Sequence, residues 1–258
     1  MLAFLLLCFL GLFSCTSTPT KIPATPITTS TLPFQDTIRC ETIRYRKKYF
    51  DVVYVDLRKD ALQLYWRDTT GKPLRSLAKL KNLFAQQGRR LRFGMNAGMY
   101  LEDRSPQGLY IENGKVIKPI IPPKNGYGNF YLQPNGIFYF SGDSANVCTT
   151  EQYLQRSINA NYATQSGPML VIDQQLHPVF VEGSKNLNIR NGVGVISAHE
   201  LVFVISQQEV NLYDFAMLFK EKLHCTNALY LDGFISQAYL PRLNRKQLGG
   251  NFGVMIGL

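Results

Sequence analysis

The stretch ALYLDGFIS, residues 228–236, is an apolar, strand-like run that leads into a carboxylate. A buried Asp is costly unless it is paired, hydrogen-bonded or in contact with a ligand. Gly233 directly follows Asp232 and allows a sharp turn or a close approach to a ligand, and Ser236 adds a hydroxyl nearby. An acid, a turn and a hydroxyl at the end of a strand are common in active sites, so Asp232 is the first catalytic candidate.

The chain from residue 39 onward contains many short strand-like runs and few helical ones. Residues 74–87 and 212–223 have apolar positions at helical spacing. Turn residues separate several runs that we predict to form hairpins: residues 49–57 with 61–66, 129–132 with 136–140, 191–196 with 201–206, and one hairpin within 107–116 around an Asn-Gly turn. This pattern predicts a single α+β domain over residues 39–258, built on a mixed or antiparallel β-sheet with a few flanking helices.

The first 38 residues predict export. Leu2–Phe13 is almost continuously apolar but short for a membrane span, so we expect a signal peptide over residues 1–14. The sequence LFSC at its end resembles the lipobox of bacterial lipoproteins, in which the Cys carries lipid, and this predicts lipidation of Cys15. Residues 15–38 are rich in Thr, Ser and Pro and predict an extended tether. We therefore expect a lipoprotein anchored to the membrane, periplasmic or at the cell surface; the alternative is an ordinary cleaved signal with an incidental Cys.

The chain of 258 residues is basic, with a formal net charge of +10. This charge suits an acidic partner such as a phosphate, an anionic glycan or a membrane, although a generally basic soluble protein is the alternative. No nucleic-acid partner is predicted, because no known binding motif occurs and the basic residues are dispersed except at Arg44–Lys48. Beyond the tether, Cys40, Cys148 and Cys225 are odd in number, and the sequence does not pair them.

Five short motifs follow one another along the chain and combine small, polar and apolar residues. They are MNAGMY (95–100), QGLY (107–110), SGPML (166–170), IRNGVG (189–194) and LYLDG (229–233). Their order and spacing resemble the phosphodiester glycosidase domain family, which includes the lysosomal uncovering enzyme and many bacterial exported proteins. The resemblance extends from about residue 50 to the end of the chain. Phe234 and Ile235 stand where many relatives have further glycines, which leaves room for a different pocket shape and substrate.

The resemblance implies hydrolysis of a sugar-1-phosphodiester in envelope or environmental glycans, which releases the sugar and leaves a phosphomonoester. It also implies a carbohydrate or sugar-phosphate as the binding partner. The catalytic candidates carried over from the motifs are Asn96, Arg190 and Asp232. The substrate-binding candidates are Gly98, Ser166, Gly167, Gly233 and Ser236, and to these we add Tyr100, whose ring is suited to stacking on a sugar.

The chemistry of these side chains fits such a reaction. The guanidinium of Arg190 is suited to bidentate binding of phosphate oxygens. Asp232 has three open roles: nucleophile, base that activates water, or stabiliser of an oxocarbenium-like transition state. A second carboxylate is not identified; we considered Glu102, Asp103 and Glu182. No organic cofactor is implied and no metal site is predicted, while a divalent metal near Asp232 stays an open possibility.

Alternative roles remain at both levels. One alternative is that Asp232 caps a turn or pairs with Arg190 for structure alone, and another is that Arg190 is a surface residue. The departure at Phe234-Ile235 motivates a second function, that of a surface glycan-binding or envelope-assembly protein without turnover. A third is a glycosidase acting on non-phosphorylated glycans. The catalytic hypothesis requires the Arg190 and Asp232 side chains to face one cleft.

Overall fold

A computed structural model describes residues 38–232 and 235–258 of the chain. The predicted signal peptide, the tether and the lipidation site Cys15 lie outside the described residues, and so does Gly233. Within the described part of the chain, no helix has both the length and the apolar character needed to cross a membrane.

Strands dominate the described residues, and the helices are short. In chain order the strands are β1 (Arg39–Tyr45), β2 (Lys48–Asp56), β3 (Gln63–Tyr65), β4 (Gly94–Asn96), β5 (Tyr110–Glu112), β6 (Lys115–Lys118), β7 (Gly136–Ser141), β8 (Ser144–Thr149), β9 (Tyr162–Ser166), β10 (Met169–Ile172), β11 (Gln175–Leu176), β12 (Asn191–Val195), β13 (Glu200–Ser206), β14 (Asn227–Asp232), β15 (Ala238–Leu240), β16 (Arg245–Lys246) and β17 (Met255–Gly257). The helices are α1 (Leu77–Gln86), α2 (Thr150–Leu154) and α3 (Leu212–Met217), with 3-10 turns at Asn129–Tyr131 and Pro241–Leu243 and a π-helical turn at Leu218–Lys222.

The strands form three antiparallel sheets. The first has seven strands in the order β1-β2-β13-β12-β14-β10-β11. The second has the order β16-β15-β4-β17-β3, and the third has the order β6-β5-β9-β7-β8. The prediction of an α+β domain on an antiparallel core is confirmed.

Two of the four predicted hairpins form and two do not. The β12–β13 hairpin and the β5–β6 hairpin form as predicted. The predicted pairing of residues 49–57 with 61–66 is wrong, because β2 lies between β1 and β13 while β3 pairs with β17. The predicted pairing of 129–132 with 136–140 is also wrong, since Asn129–Tyr131 is a 3-10 turn and β7 pairs with β8. In the first case a long-range pairing takes β3 away from β2, and in the second the true hairpin lies one segment later in the chain.

The largest apolar core lies where the three sheets meet. It includes Met95 of β4, Phe138 of β7 and Leu231 of β14, all buried. The other face of the seven-stranded sheet packs against α3, and the other face of the second sheet packs against α1. This packing places the ends of β4 and β14, which carry Asn96 and Asp232, beside each other.

Candidate active site

A cleft with a volume of about 750 Å³ lies beside the ends of β4 and β14. Its size is typical of small-molecule sites. Its polar lining comprises Asp232, Arg104, Tyr100, Gln107, Asn129 and Asn188. Tyr127, at the edge, is 99% exposed. The cleft therefore offers a ligand amides, hydroxyls, one carboxylate (Asp232) and one guanidinium (Arg104).

Asp232 is the carboxylate of this cleft and is only 5% exposed. Asn96 donates its side-chain amide to Oδ2 of Asp232 over 2.6 Å and to the carbonyl of Ile235 over 2.6 Å. Ser236 donates its hydroxyl to the Asp232 carbonyl over 3.2 Å. These bonds hold the carboxylate in place, so the structure brings together three of the predicted residues, Asn96, Asp232 and Ser236.

Asn191 completes this network, and the sequence analysis assigned it no role of its own. Its side-chain amide donates to the Asn96 carbonyl over 2.7 Å and to Asn96 Oδ1 over 3.0 Å. Its own Oδ1 accepts the backbone N–H of Asp232 over 3.1 Å. Because Oδ1 of Asn96 also accepts the N–H of Gln237 over 2.9 Å, the amide of Asn96 must direct its donors towards Asp232. A polar side chain opposite Asp232 at the start of a small-residue strand was the available signal.

Arg190 does not line the cleft with Asp232. It is fully buried, and its guanidinium donates to the Val210 carbonyl over 2.7 Å, the Tyr230 hydroxyl over 2.7 Å and the Asn186 carbonyl over 2.9 Å. A guanidinium whose edges are occupied by protein acceptors has no open fork for a phosphate. The prediction that the Arg190 and Asp232 side chains face one cleft is therefore wrong, and the buried guanidinium has a structural role.

The bonds of Arg190 support one wall of the cleft from behind. They anchor Asn186, whose Oδ1 accepts the side-chain amide of the cleft residue Asn188 over 2.9 Å. They also fix Tyr230, two residues before Asp232 in β14. Burial raises the pKa of Tyr230 to about 12, so its phenol stays protonated at neutral pH. Arg190 therefore acts on the site only through its neighbours.

The other predicted substrate contacts are packed against protein and are absent from the lining described here. The buried Ser166 donates its hydroxyl to the Leu231 carbonyl over 2.8 Å. A Cβ on Gly98 would lie 2.5 Å from Thr164 Oγ1, and a Cβ on Gly167 would lie 2.7 Å from Asn135 Cβ. The two glycines thus permit close packing, and all three residues contribute structure behind the cleft.

Tyr100 does line the cleft, but Arg104 covers its ring. The Arg104 guanidinium carbon lies 5.0 Å from the centroid of the Tyr100 ring. Burial, reinforced by the charge of Asp232, raises the pKa of Tyr100, and the charge of Arg104 opposes this rise. Tyr100 therefore offers a protonated hydroxyl, while the ring face predicted to stack on a sugar is occupied. Sequence analysis missed Arg104, although it follows the MNAGMY motif by four residues.

None of the acidic residues considered as a second carboxylate lines the cleft. Glu102 and Asp103 are exposed on the loop before Arg104, and Asp103 accepts the N–H of Ser105 over 2.8 Å. Glu182 pairs with Arg46 at 2.9 Å. Within the described residues, no three His, Cys, Asp or Glu side chains are grouped closely enough to hold a metal ion.

Comparisons with known proteins agree with the motif resemblance. The family model described as phosphodiester glycosidase matches residues 89–254. The chain is 39% identical over 190 residues to an Escherichia coli (strain K12) protein designated "Uncharacterized protein YigE", covering 72% of each chain. The match to the family model includes Asn96, Arg104, Asn191 and Asp232.

Two solved structures share the fold at low sequence identity. The catalytic domain of zebrafish N-acetylglucosamine-1-phosphodiester alpha-N-acetylglucosaminidase, auto-inhibited by its pro-peptide, has a TM-score of 0.57 and 13% identity over 86% of this chain and 82% of its own. A hypothetical protein from Synechocystis has a TM-score of 0.54 and 13% identity over 85% of this chain and 61% of its own. The two structures show the shared fold, and the match of the family model to residues 89–254, more than half of the chain, shows that the chain belongs to the phosphodiester glycosidase family.

Proposed function

We propose that this protein hydrolyses a sugar-1-phosphodiester and that Asp232 is its reacting carboxylate. One observation supports this most strongly: a carboxylate held by the Asn96 amide at 2.6 Å lies in a cleft lined by amides and hydroxyls. Amides and hydroxyls are suitable partners for sugar hydroxyls because they both donate and accept hydrogen bonds. Family membership supports the same class of reaction.

In the proposed reaction, the bond between C1 of the sugar and the bridging oxygen breaks, and the bonding electrons leave with the phosphomonoester. The oxygen of a water molecule forms the new bond to C1, and its proton is released. Positive charge develops on the sugar ring as the bond breaks. The Asp232 carboxylate stabilises that charge, either electrostatically or by bonding transiently to C1.

The cleft contains one carboxylate among its described lining residues, and this favours a phosphorylated substrate. Cleavage of an ordinary glycoside generally needs a second carboxyl group that protonates the leaving oxygen. A phosphomonoester leaves as an already stable anion and needs little protonation. A plain glycoside is therefore a poorer match for this cleft than a phosphodiester.

We further propose that the protein works outside the cytoplasm, attached through a lipid on Cys15. The proposal is supported by the apolar run of residues 2–13, the Cys that follows it and the tether-like composition of residues 16–33. Replacing Cys15 with Ala should abolish incorporation of a labelled fatty acid and release the protein from the membrane fraction. Equal labelling of the wild-type and C15A proteins would rule out this anchor.

The central test is a substrate panel applied to the purified protein. It includes α- and β-sugar-1-phosphodiesters, teichoic-acid-like polymers and aryl glycosides, with release of free sugar as the readout. We expect turnover of at least one diester, and a loss of about 1000-fold or more in Asp232→Asn. Asp173→Asn, a matched change at an exposed residue, should leave the rate unchanged.

Three outcomes would contradict the proposal. Asp232→Asn may turn over the diester at the wild-type rate, which would exclude the catalytic assignment. Glycan binding without hydrolysis of any diester would favour a binding protein. Hydrolysis of aryl glycosides with no preference for phosphate would indicate a glycosidase acting on non-phosphorylated glycans.

A further inference from the structure

The cleft has a single positive charge. Among the described lining residues, Arg104 carries the only cationic side chain, and Arg190 is buried elsewhere. A phosphodiester bears one negative charge, and desolvating that charge in a cleft requires a compensating partner. Arg104 can therefore take the role of phosphate ligand, which the motif resemblance implied for Arg190.

The backbone holds Arg104 firmly. Its N–H donates to the Leu101 carbonyl over 2.8 Å, and its carbonyl accepts the indole N–H of Trp66 over 2.9 Å. The residue has φ of 70°, a left-handed conformation that non-glycine residues adopt infrequently. Left-handed conformations at non-glycine residues are often found at functional sites, where surrounding contacts maintain them.

The guanidinium of Arg104 has unused hydrogen-bonding capacity. Its Nε is buried and has no hydrogen-bond partner among the described residues. By contrast, the Nε of Arg190 donates to Val210 over 2.7 Å. An unsatisfied buried donor destabilises the unliganded protein, and a ligand that accepts from it removes this cost. The guanidinium carbon lies 5.0 Å from the centroid of the Tyr100 ring, a cation–π contact that helps to hold the guanidinium in the cleft lining.

We propose that Arg104 binds the phosphate of the substrate and so places the leaving group beside Asp232. This inference rests on the proposed function and assigns its anion-binding residue. An Arg side chain favours bidentate binding, in which its Nε and Nη edge donates to two phosphate oxygens. The protonated hydroxyl of Tyr100 lies on the same wall and is positioned to donate to the bound anion.

The test separates phosphate binding from turnover by using inorganic phosphate as a probe. Calorimetric titration of wild-type protein with millimolar phosphate should show binding, and Arg104→Ala should weaken it by about tenfold or more. Arg104→Lys retains the charge without the fork and should give an intermediate affinity. Arg39→Ala is the matched control, because the Arg39 guanidinium also lies over an aromatic ring, 4.0 Å from the centroid of Tyr54, but is outside the cleft lining.

Kinetics give the second readout. Arg104→Ala should lower kcat/KM for the best diester of the panel by about 100-fold, while any turnover of an aryl glycoside stays within twofold. If Arg104→Ala does not fold, the comparison is made with Arg104→Lys, whose melting temperature must match that of wild type. Wild-type phosphate affinity in the Arg104 variants, or no phosphate binding by the wild-type protein, overturns the inference. If no diester is hydrolysed but phosphate binding depends on Arg104, the proposed hydrolysis is rejected, whereas the assignment of Arg104 as the anion-binding residue is supported.

Discussion

The side-chain nitrogen of Asn96 lies 2.6 Å from Oδ2 of Asp232, although 136 residues separate the two along the chain. Asn96 ends β4 of a five-stranded sheet, and Asp232 ends β14 of the seven-stranded sheet. The contact therefore forms only when the two sheets pack together. The orientation of the proposed catalytic group is thus a property of the tertiary fold, and it can be tested residue by residue.

Replacing Asn96 with Ala should slow the chemical step. The change removes the donor to Asp232 and leaves the N–H of Gln237 without its acceptor, while the Asn191 amide loses Oδ1 and keeps the backbone carbonyl of residue 96. We expect kcat to fall by about 10- to 100-fold with a small change in KM, because the carboxylate loses its orientation. Steady-state kinetics on the best diester measure this, with the exposed Asn82→Ala as control. An unchanged kcat would show that Asn96 is not needed to orient Asp232.

Replacing Arg190 with Ala should primarily destabilise the fold. The change leaves a cavity in place of a fully buried side chain and removes its hydrogen bonds to the buried Tyr230 hydroxyl, the Val210 carbonyl and the Asn186 carbonyl. We expect the free energy of unfolding to fall by about 3–5 kcal/mol, measured by chemical denaturation. The exposed Arg44→Ala should change it by less than about 0.5 kcal/mol. An Arg190→Ala protein that is as stable as wild type but no longer binds phosphate would contradict this expectation and indicate that Arg190 is a phosphate ligand.

Gly253 offers a way to disturb the Arg104 loop without altering any charged group. A Cβ at Gly253 would lie 2.5 Å from Cβ of Tyr100 and 3.2 Å from the Arg104 carbonyl oxygen, so Gly253→Ala must displace this loop. We expect kcat/KM for the diester to fall by about tenfold or more. Gly249→Ala is the matched control, because its Cβ would approach nothing closer than 3.5 Å. Equal activity of the two variants would mean that the loop position does not matter.

Stability should fall at alkaline pH. Burial raises the pKa of Cys225 to about 12 and that of Cys148 to about 11, from an ordinary value of 9.0. A pKa raised in the folded state contributes stability that is complete below the unfolded pKa and is lost as the pH rises towards the folded pKa. We therefore expect the melting temperature to decline between pH 9 and 11, with Cys225 alone accounting for about 2 kcal/mol by pH 10.5.

Thermal melts at constant ionic strength from pH 8 to pH 10.5 measure this decline. Cys225→Ala removes one of the two thiols and should show a shallower decline, while its melting temperature at pH 8 reports the packing cost alone. A melting temperature of wild-type protein that stays constant up to pH 10.5 would contradict the expectation.

Local sequence patterns identified the elements that carry the site. The apolar run ending at Asp232 is β14, and residues 191–196 and 201–206 pair as a hairpin. Helical spacing in residues 74–87 corresponds to α1, which begins after the capping residue Ser76. These features depend on residues close together in the chain, where periodicity and turn chemistry are informative.

The failures concern contacts that local patterns do not encode. The run 61–66 lies near β2 in sequence, yet β3 within it pairs with β17, nearly two hundred residues later. The direction of the Arg190 side chain depends on how β12 lies in its sheet. The motif around Arg190 does not determine which face of the sheet the side chain points to. Arg104 lies outside any strand or helix. Only the folded structure shows that its loop lines the same cleft as Asp232.

The carboxylate and the cation of the cleft have separate supports. Asp232 depends on Asn96 and Asn191, whereas Arg104 belongs to a loop fastened to Trp66 and fitted against Gly253. Substitutions in the Arg104 loop can therefore change the kind of anion that the cleft accepts, while the hydrogen bonds that hold Asp232 stay in place. We expect the sequences of relatives to differ most in that loop, so that proteins with the same proposed catalytic carboxylate select different esters.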